Sequence, residues 1–176
     1  MQQKKIIIAI CGSTRKSSTN LHLIHAITEL SKDLFEVKLY TTIEELPHFN
    51  PDLDVDPAPI KIHEFRHLLK SAAGVLICTP EYAMGVPGTL KNAIDWTVSS
   101  AEFSKKPVAL ITASSMGEKA HASLLETLKI IESTITAETQ LLIPYAKTKI
   151  NADGIITDNE TLDKVKKLII SFSKFL

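Results

Sequence analysis

Short apolar runs alternate along the chain with longer stretches whose apolar residues have helical spacing. Residues 6–10, 74–78 and 108–112 are apolar at almost every position. Runs this short and continuous indicate strands that are buried on both faces, as in parallel sheets. Residues 35–40 alternate apolar with polar positions, and residues 139–143 are more polar at their start. These two stretches therefore predict strands at the edges of the same sheet.

Five helices are predicted between and after these strands. The ranges are 17–31, 59–71, 87–99, 118–132 and a last helix that opens at a capping box formed by Thr157 and Glu160. A proline-rich stretch, residues 47–59, is predicted to be irregular. The supporting residues are Ser17 or Ser18 as the first cap, Leu21, Ile24 and Ile27 inside the first helix, Phe65, Leu68, Leu69 and Ala72 inside the second, Pro87 in the first turn of the third, and Leu162, Val165, Ile169 and Phe172 inside the last.

Strands and helices in strict alternation predict a doubly wound α/β fold of three layers, with helices on both faces of a parallel sheet. The two amphipathic strands, second and fifth, fit the edges of a sheet with the strand order 2-1-3-4-5. In such a sheet a ligand binds beyond the carboxyl ends of the strands, near the switch point between the first and third. The loops after the first, third and fourth strands should therefore carry the functional residues.

Composition narrows the class of protein further. The 176 residues suit one domain, residues 1–176, with 20 basic and 20 acidic side chains and therefore no net charge. This balance argues against binding to nucleic acid or to a membrane surface, which needs a basic patch, and no apolar run approaches the roughly 20 residues of a membrane span. Two cysteines, and an N-terminus that runs from Met1 straight into a strand, predict a cytoplasmic protein.

The loop after the first strand has the character of a phosphate site. Gly12 is followed by Ser13, Arg15, Ser18 and Asn20, just before a helix begins. Hydroxyls, a guanidinium and the positive end of a helix suit a phosphate dianion. The spacing excludes a G-x-G-x-x-G dinucleotide loop and a Walker A loop. It also excludes a low-molecular-weight tyrosine phosphatase, because Arg15 comes too soon after Cys11.

Two further motifs follow the first loop along the chain. They are Pro80-Glu81-Tyr82 and Pro87-Gly88-x-Leu90-Lys91-Asn92-Ala93-x-Asp95-Trp96. Together with Gly12-Ser13-x-Arg15-x-x-Ser18-x-Asn20, they resemble the NAD(P)H-dependent FMN reductase family, and the resemblance covers nearly the whole chain. This family is flavodoxin-like and includes azoreductases, quinone reductases and chromate-reducing enzymes.

The resemblance implies that FMN is bound non-covalently, takes a hydride at N5 from NADPH or NADH, and passes electrons to a second acceptor by a ping-pong mechanism. The acceptor classes are flavin, quinone, azo compound and metal oxyanion. No protein side chain is expected to be catalytic, and Glu81 and Asp95 are interpreted as structural. Ala83 replaces an Asn of many relatives, so flavin contacts there are expected from the backbone. The implied contacts are Ser13, Arg15, Ser18, Thr19 and Asn20 for the phosphate, Pro80, Glu81, Tyr82, Ala83 and Met84 for the ring, and Ser114, Ser115, Met116 and Gly117 for the ribityl or pyrimidine side.

Two other functions compete with this one. A flavodoxin-type electron carrier would bind FMN without nicotinamide activity, but carriers place the ring between aromatic residues, and the ring loops here contain only Tyr82. A metallohydrolase would use His63 and His67, which match H-E-x-x-H. The apolar face of their helix leaves both histidines toward solvent, so no metal is expected. Cys11 and Cys78 are interpreted as packing residues rather than a redox pair.

A homodimer or homotetramer is implied by the resemblance and by one helix. The helix 87–99 is apolar around more of its circumference than one sheet face can cover, which predicts a second copy of the chain on the other side. Its apolar positions are Leu90, Ala93, Ile94, Trp96, Thr97 and Val98.

Overall fold

The computed structural model describes residues 4–176, so the predicted lead-in from Met1 to Gln3 lies outside the described residues. Its centre is a parallel sheet. The strands are β1 (Ile6–Cys11), β2 (Glu36–Tyr40), β3 (Gly74–Thr79), β4 (Val108–Ala113) and β5 (Gln140–Ile143). They lie in the order β2-β1-β3-β4-β5, and every neighbouring pair is parallel. The predicted strand order is confirmed.

Burial along the strands follows the hydrophobic pattern. Every residue of β3 and β4 is buried, and only Ile6 of β1 is not. The two edge strands are half-exposed: β2 alternates between exposed and half-buried residues, and β5 is fully buried only at Ile143. The distinction between central and edge strands was therefore readable from the sequence.

Helices cover both faces of the sheet, as predicted. They are α1 (Thr19–Ser31), α2 (Ile60–Ser71), α3 (Gly88–Asp95), α4 (Glu118–Ile130), α5 (Ala146–Lys149) and α6 (Asn159–Ser173), with short 3-10 turns at Ile43–Glu45, Pro51–Leu53 and Ala137–Thr139. One core lies between the sheet and α1, α5 and α6. A second lies between the sheet and α2, α3 and α4. The sheet thus separates two apolar layers, and its strands end together at one edge.

The cap of α6 differs from the prediction by one residue. The side chain of Asp158, not Thr157, accepts a hydrogen bond from the amide of Thr161 at 2.9 Å. Thr157 instead donates to the carbonyl of Lys149, and Glu160 forms an ion pair with Lys164 at 2.6 Å. The predicted capping box is wrong because an aspartate one position later is an equally good cap and is in reach.

The predicted helix 87–99 is shorter in the structure, and its second apolar side is already covered. α3 ends at Asp95, and the carbonyl of its C-cap residue, Trp96, accepts a hydrogen bond from Nε of Arg66 on α2 at 2.7 Å. Trp96 is fully buried within this chain. Its indole N–H donates to the carbonyl of Pro47 at 2.8 Å, and Phe49 packs edge-on against its ring at 5.0 Å.

This arrangement overturns the argument for a second copy. The irregular segment around Pro47, not a partner chain, covers the second face of the helix. Of the apolar positions that suggested an interface, only Val98 is exposed. The oligomeric state itself stays a prediction, which now depends on the resemblance alone.

The two histidines of the H-E-x-x-H pattern lie on α2 and are both exposed, as predicted. The residues between them serve the fold: Phe65 is in the core, and Arg66 pairs with Asp54 at 2.6 Å in addition to binding Trp96. This Arg66 hydrogen bond lowers the pKa of the Asp54 carboxyl. The residues of this pattern therefore pack α2 against the core and bond it, through Arg66, to Asp54 and Trp96. We propose no metal site there.

Candidate active site

Gly12 brings the first loop against β3 at the carboxyl edge of the sheet. A Cβ at this position would lie 2.3 Å from Oγ1 of Thr79, so no larger residue fits without displacement. The Gly12 amide donates to the carbonyl of Cys78 at 2.8 Å and extends the β1–β3 ladder by one bond. The chain then turns so that Ser13 is buried while Arg15 is exposed.

The start of α1 forms the anion-binding part of the site. Ser18 is its N-cap residue, is buried, and makes no side-chain capping bond. The first amides of a helix have no acceptor within the helix, and here no side-chain oxygen of Ser18 takes one. These amides, the hydroxyls of Ser13 and Ser18, and Arg15 therefore provide donors and positive potential for a dianion.

The side chain of Asn20 makes a structural contact in addition to lining the cleft. Its Nδ2 donates to the carbonyl of Ala113 at 2.9 Å, which ties the start of α1 to the end of β4. Its Oδ1 is buried without a hydrogen-bond partner among the described residues. The second N–H of Nδ2 and the backbone amide are the donors that Asn20 can offer to a phosphate.

The second loop contains a tight two-residue turn. The backbone amides and carbonyls of Tyr82 and Gly85 bond to each other in both directions, at 3.0 and 2.9 Å. The central residues, Ala83 and Met84, have φ values of 48° and 60°, the conformation of a type I′ turn, for which Asn and Gly are preferred. The turn is therefore strained at Ala83, and it leaves Met84 highly exposed.

The third loop is joined to the second and to the loop that follows β5. The amide of Glu81 donates to Oγ of Ser114 at 3.1 Å. The amides of Tyr145 and Ala146 donate to the carbonyls of Ser115 and Ser114, both at 3.0 Å. Three strand ends thus meet in one hydrogen-bonded network.

His121, in the second turn of α4, bonds to residues of β4 and β5 next to the third loop. Its amide donates to the carbonyl of Gly117, and its ring lies between Oγ1 of Thr112 at 2.9 Å and Oε1 of Gln140 at 3.2 Å. Burial lowers the pKa of the His121 imidazole, which favours the neutral ring. Because Gln140 offers an oxygen, the hydrogen-bond network assigns the ring proton to Nε2.

These loops enclose a cleft of about 390 Å³, within the range of roughly 300–1,000 Å³ that is typical of small-molecule sites. Most of the predicted residues line it, whereas Ala83, Met84, Met116 and Gly117 lie outside its lining. The lining residues are Ser13, Arg15, Ser18, Thr19, Asn20, Pro80, Glu81, Tyr82, Ala113, Ser114, Ser115, Tyr145, Ala146, Lys147 and Thr148.

Sequence reasoning missed the contribution of the loop after β5. Tyr145 has a φ of 54°, and with Lys147 and Thr148 it forms one wall of the cleft. The rule that ligands lie at the carboxyl ends of parallel strands applies to β5 as much as to β4. That rule was the available signal, since α5 has only four residues and no detectable periodicity.

The cysteines are two free, buried thiols in register on β1 and β3. Burial raises the pKa of both, and that of Cys78 strongly. The thiols therefore stay protonated near neutral pH, which supports the interpretation of both as packing residues.

Comparison with known proteins decides the family. Residues 6–148 match the model of the family described as NADPH-dependent FMN reductase. The chain belongs to this family. It is accordingly an oxidoreductase of the FMN and NAD(P)H type, and the donor set described above fits a flavin phosphate.

The chain is similar to several characterised proteins along its whole length. It is 28% identical over 184 residues to a quinone reductase of Escherichia coli, which covers 100% of this chain and 97% of that protein. It is 28% identical to an NADH-dependent flavin reductase subunit of Lactobacillus johnsonii, over 97% of this chain and 96% of the other. The solved structure of FerB, an NAD(P)H:(acceptor) oxidoreductase from Paracoccus denitrificans, superposes with a TM-score of 0.84 at 27% identity, over 97% and 96% of the two chains. No helix within residues 4–176 is long and apolar enough to span a bilayer.

Proposed function

We propose that this protein transfers electrons from NADPH or NADH through bound FMN to a second acceptor, in two half-reactions that use the same open cleft. The acceptor classes that we propose are quinone, flavin, azo compound and metal oxyanion. The whole chain would act as one FMN-binding domain. Support comes from the family and from its relatives, which include a quinone reductase and a flavin reductase.

One observation carries the proposal. The uncapped start of α1, the hydroxyls of Ser13 and Ser18, and the exposed guanidinium of Arg15 converge on one end of a cleft whose other walls are the loops at the strand ends. This arrangement would anchor the phosphate of FMN and leave the remaining volume for its ribityl chain and ring.

When bound, FMN supplies a hydride acceptor at N5 and returns the electrons to the second substrate. The protein's part would be to bind, orient and polarise. Backbone groups of Tyr82 and Ser115, which line the cleft, would border a planar ring, and those of the turn at Ala83 and Met84 would reach it from outside that lining. We propose no side chain as a proton donor or nucleophile, because hydride transfer to a flavin needs neither.

The competing function is a flavodoxin-type carrier, and one feature of the cleft favours it. Tyr145 adds a second tyrosine to the lining, beside Tyr82. Both side chains are well exposed, at 66% and 49%, so neither closes the cleft in this structure. An open ring face would admit nicotinamide, which is the feature that separates a reductase from a carrier.

Steady-state kinetics tests the two half-reactions. With NADPH or NADH varied at several fixed concentrations of a quinone, the ping-pong mechanism predicts parallel double-reciprocal lines. Lines that converge would show that both substrates bind together, which would refute the shared-cleft proposal. Light scattering on the same preparation tests the predicted homodimer or homotetramer, and a fully active monomer would contradict it.

A further inference from the structure

Glu81 lies in the loop after β3 and forms hydrogen bonds to the loop after β4 and to α4. Its Oε2 accepts a hydrogen bond from the amide of Ala120 at 2.8 Å. Its own amide donates to Oγ of Ser114 at 3.1 Å. The carboxylate therefore reaches from the loop after β3 to the first turn of α4, while its backbone holds the loop after β4.

The helix that Glu81 reaches has no cap of its own. Its N-cap residue is Gly117, with a φ of 101° and no side chain to accept a bond. A side chain at this position would meet Leu142 and Thr112, so a Ser or Asp cap does not fit. Glu81 supplies from a distant part of the chain the acceptor that a local cap would normally supply.

We propose that Glu81 is a positioning residue that holds the loops after β3 and β4 as one unit along the edge where the flavin ring would lie. This inference rests on the proposed function, because it assumes that the ring occupies this part of the cleft. Without the carboxylate, Ala120 loses its acceptor and the two loops keep only the weaker link through Ser114. Binding of the ring would then have to order them.

The size of the effect follows from the helix cap. Loss of a cap costs about 0.5–2 kcal/mol. If flavin binding has to supply this free energy in order to order the two loops, the dissociation constant of the flavin rises about 2- to 30-fold. The carbonyl oxygen of glutamine can still accept from Ala120, whereas aspartate is one methylene too short to reach it.

The test compares four variants by flavin fluorescence titration with both FMN and riboflavin, which lacks the phosphate. Glu81→Ala and Glu81→Asp should weaken both flavins by the same factor, about 2- to 30-fold, and Glu81→Gln should restore affinity to within about twofold of the original protein. Glu118→Ala removes an exposed acidic residue from the same helix turn and should change neither affinity. Hydrogen exchange at the Ala120 amide, measured without flavin, should speed up in the first two variants only.

The outcomes separate this inference from the proposed function. If the unaltered protein binds no flavin, the proposed function fails. If it binds FMN and Glu81→Ala and Glu81→Asp bind it equally well, Glu81 does not position the site. A Glu81→Gln variant as weak as Glu81→Asp would also overturn the inference, because the acceptor would then be irrelevant. Should Glu81→Ala not fold, the Asp and Gln variants decide the question.

Discussion

Removal of the Arg15 guanidinium tests the phosphate end of the cleft. Arg15 is exposed and, within residues 4–176, forms no ion pair with a carboxylate. Arg15→Ala should therefore leave the stability of the flavin-free protein unchanged. This separates a loss of binding from a loss of folding, which is the usual ambiguity of such a variant.

The expected effect on FMN follows from the charge-assisted hydrogen bonds of one guanidinium. Such a bond contributes about 1.5–3 kcal/mol, so the dissociation constant of FMN should rise roughly 10- to 100-fold. The exposure of Arg15 places the effect toward the lower end at physiological salt, because solvent and ions screen exposed charges. Repeating the titration at low ionic strength should enlarge the difference.

Fluorescence titration with FMN and riboflavin provides the assay, with Lys16→Ala as the matched control. Lys16 is the neighbouring exposed cation, but it lies outside the lining of the cleft. Arg15→Ala should weaken FMN and leave riboflavin unchanged, and the Lys16 variant should change neither by more than about twofold. An Arg15 variant with the original affinity for FMN, or with an equal loss for riboflavin, would refute the phosphate assignment.

Three further predictions follow from the structure. Ala83→Gly should stabilise the flavin-free protein by up to about 1.5 kcal/mol, because relief of a left-handed residue contributes about 1–2 kcal/mol and the entropy of glycine costs about 0.5–1 kcal/mol. A lower melting temperature would contradict the strained turn. Folding lowers the pKa of His121 below its ordinary value of 6.5, so the unfolded state binds the proton more readily than the folded state. Stability should therefore be complete above that pH and fall as the pH drops below it, and His121→Gln should show a smaller fall between about pH 7 and pH 5 in thermal melts. His63→Ala combined with His67→Ala should leave FMN affinity and reductase activity intact, and stoichiometric zinc in the purified protein, lost in this variant, would overturn that expectation.

Most of the fold was predictable because the sheet imposes a simple pattern on the sequence. Strands buried on both faces must be apolar throughout, and edge strands need not be, so the strand order followed from a few short runs. The loop after the first strand was also predicted to border the ligand site, and its residues Ser13 and Arg15 line the cleft. Local patterns of this kind need no knowledge of distant contacts.

Apart from the cap of α6, where the neighbouring Asp158 takes the place of Thr157, the features that the sequence did not show involve residues whose partners are far away in the sequence. Trp96 has the signature of an interface, and only the structure shows that the segment around Pro47 covers it. The side-chain amide of Asn20 also donates to Ala113, and this contact has no sequence signal. Tyr145 lies in a loop too short for periodicity. Long-range packing, rather than local propensity, decided each of these positions.

Anaerobic mixing of the FMN-loaded protein with NADPH or NADH, without any partner protein, shows whether the bound flavin accepts electrons from a nicotinamide. We predict that one of the two nicotinamides bleaches the visible absorbance of the oxidised flavin, and that this absorbance returns when a quinone is added. A flavin that stays oxidised with both, yet is reduced by dithionite, would identify a carrier and contradict the claim that this protein is a nicotinamide-dependent reductase.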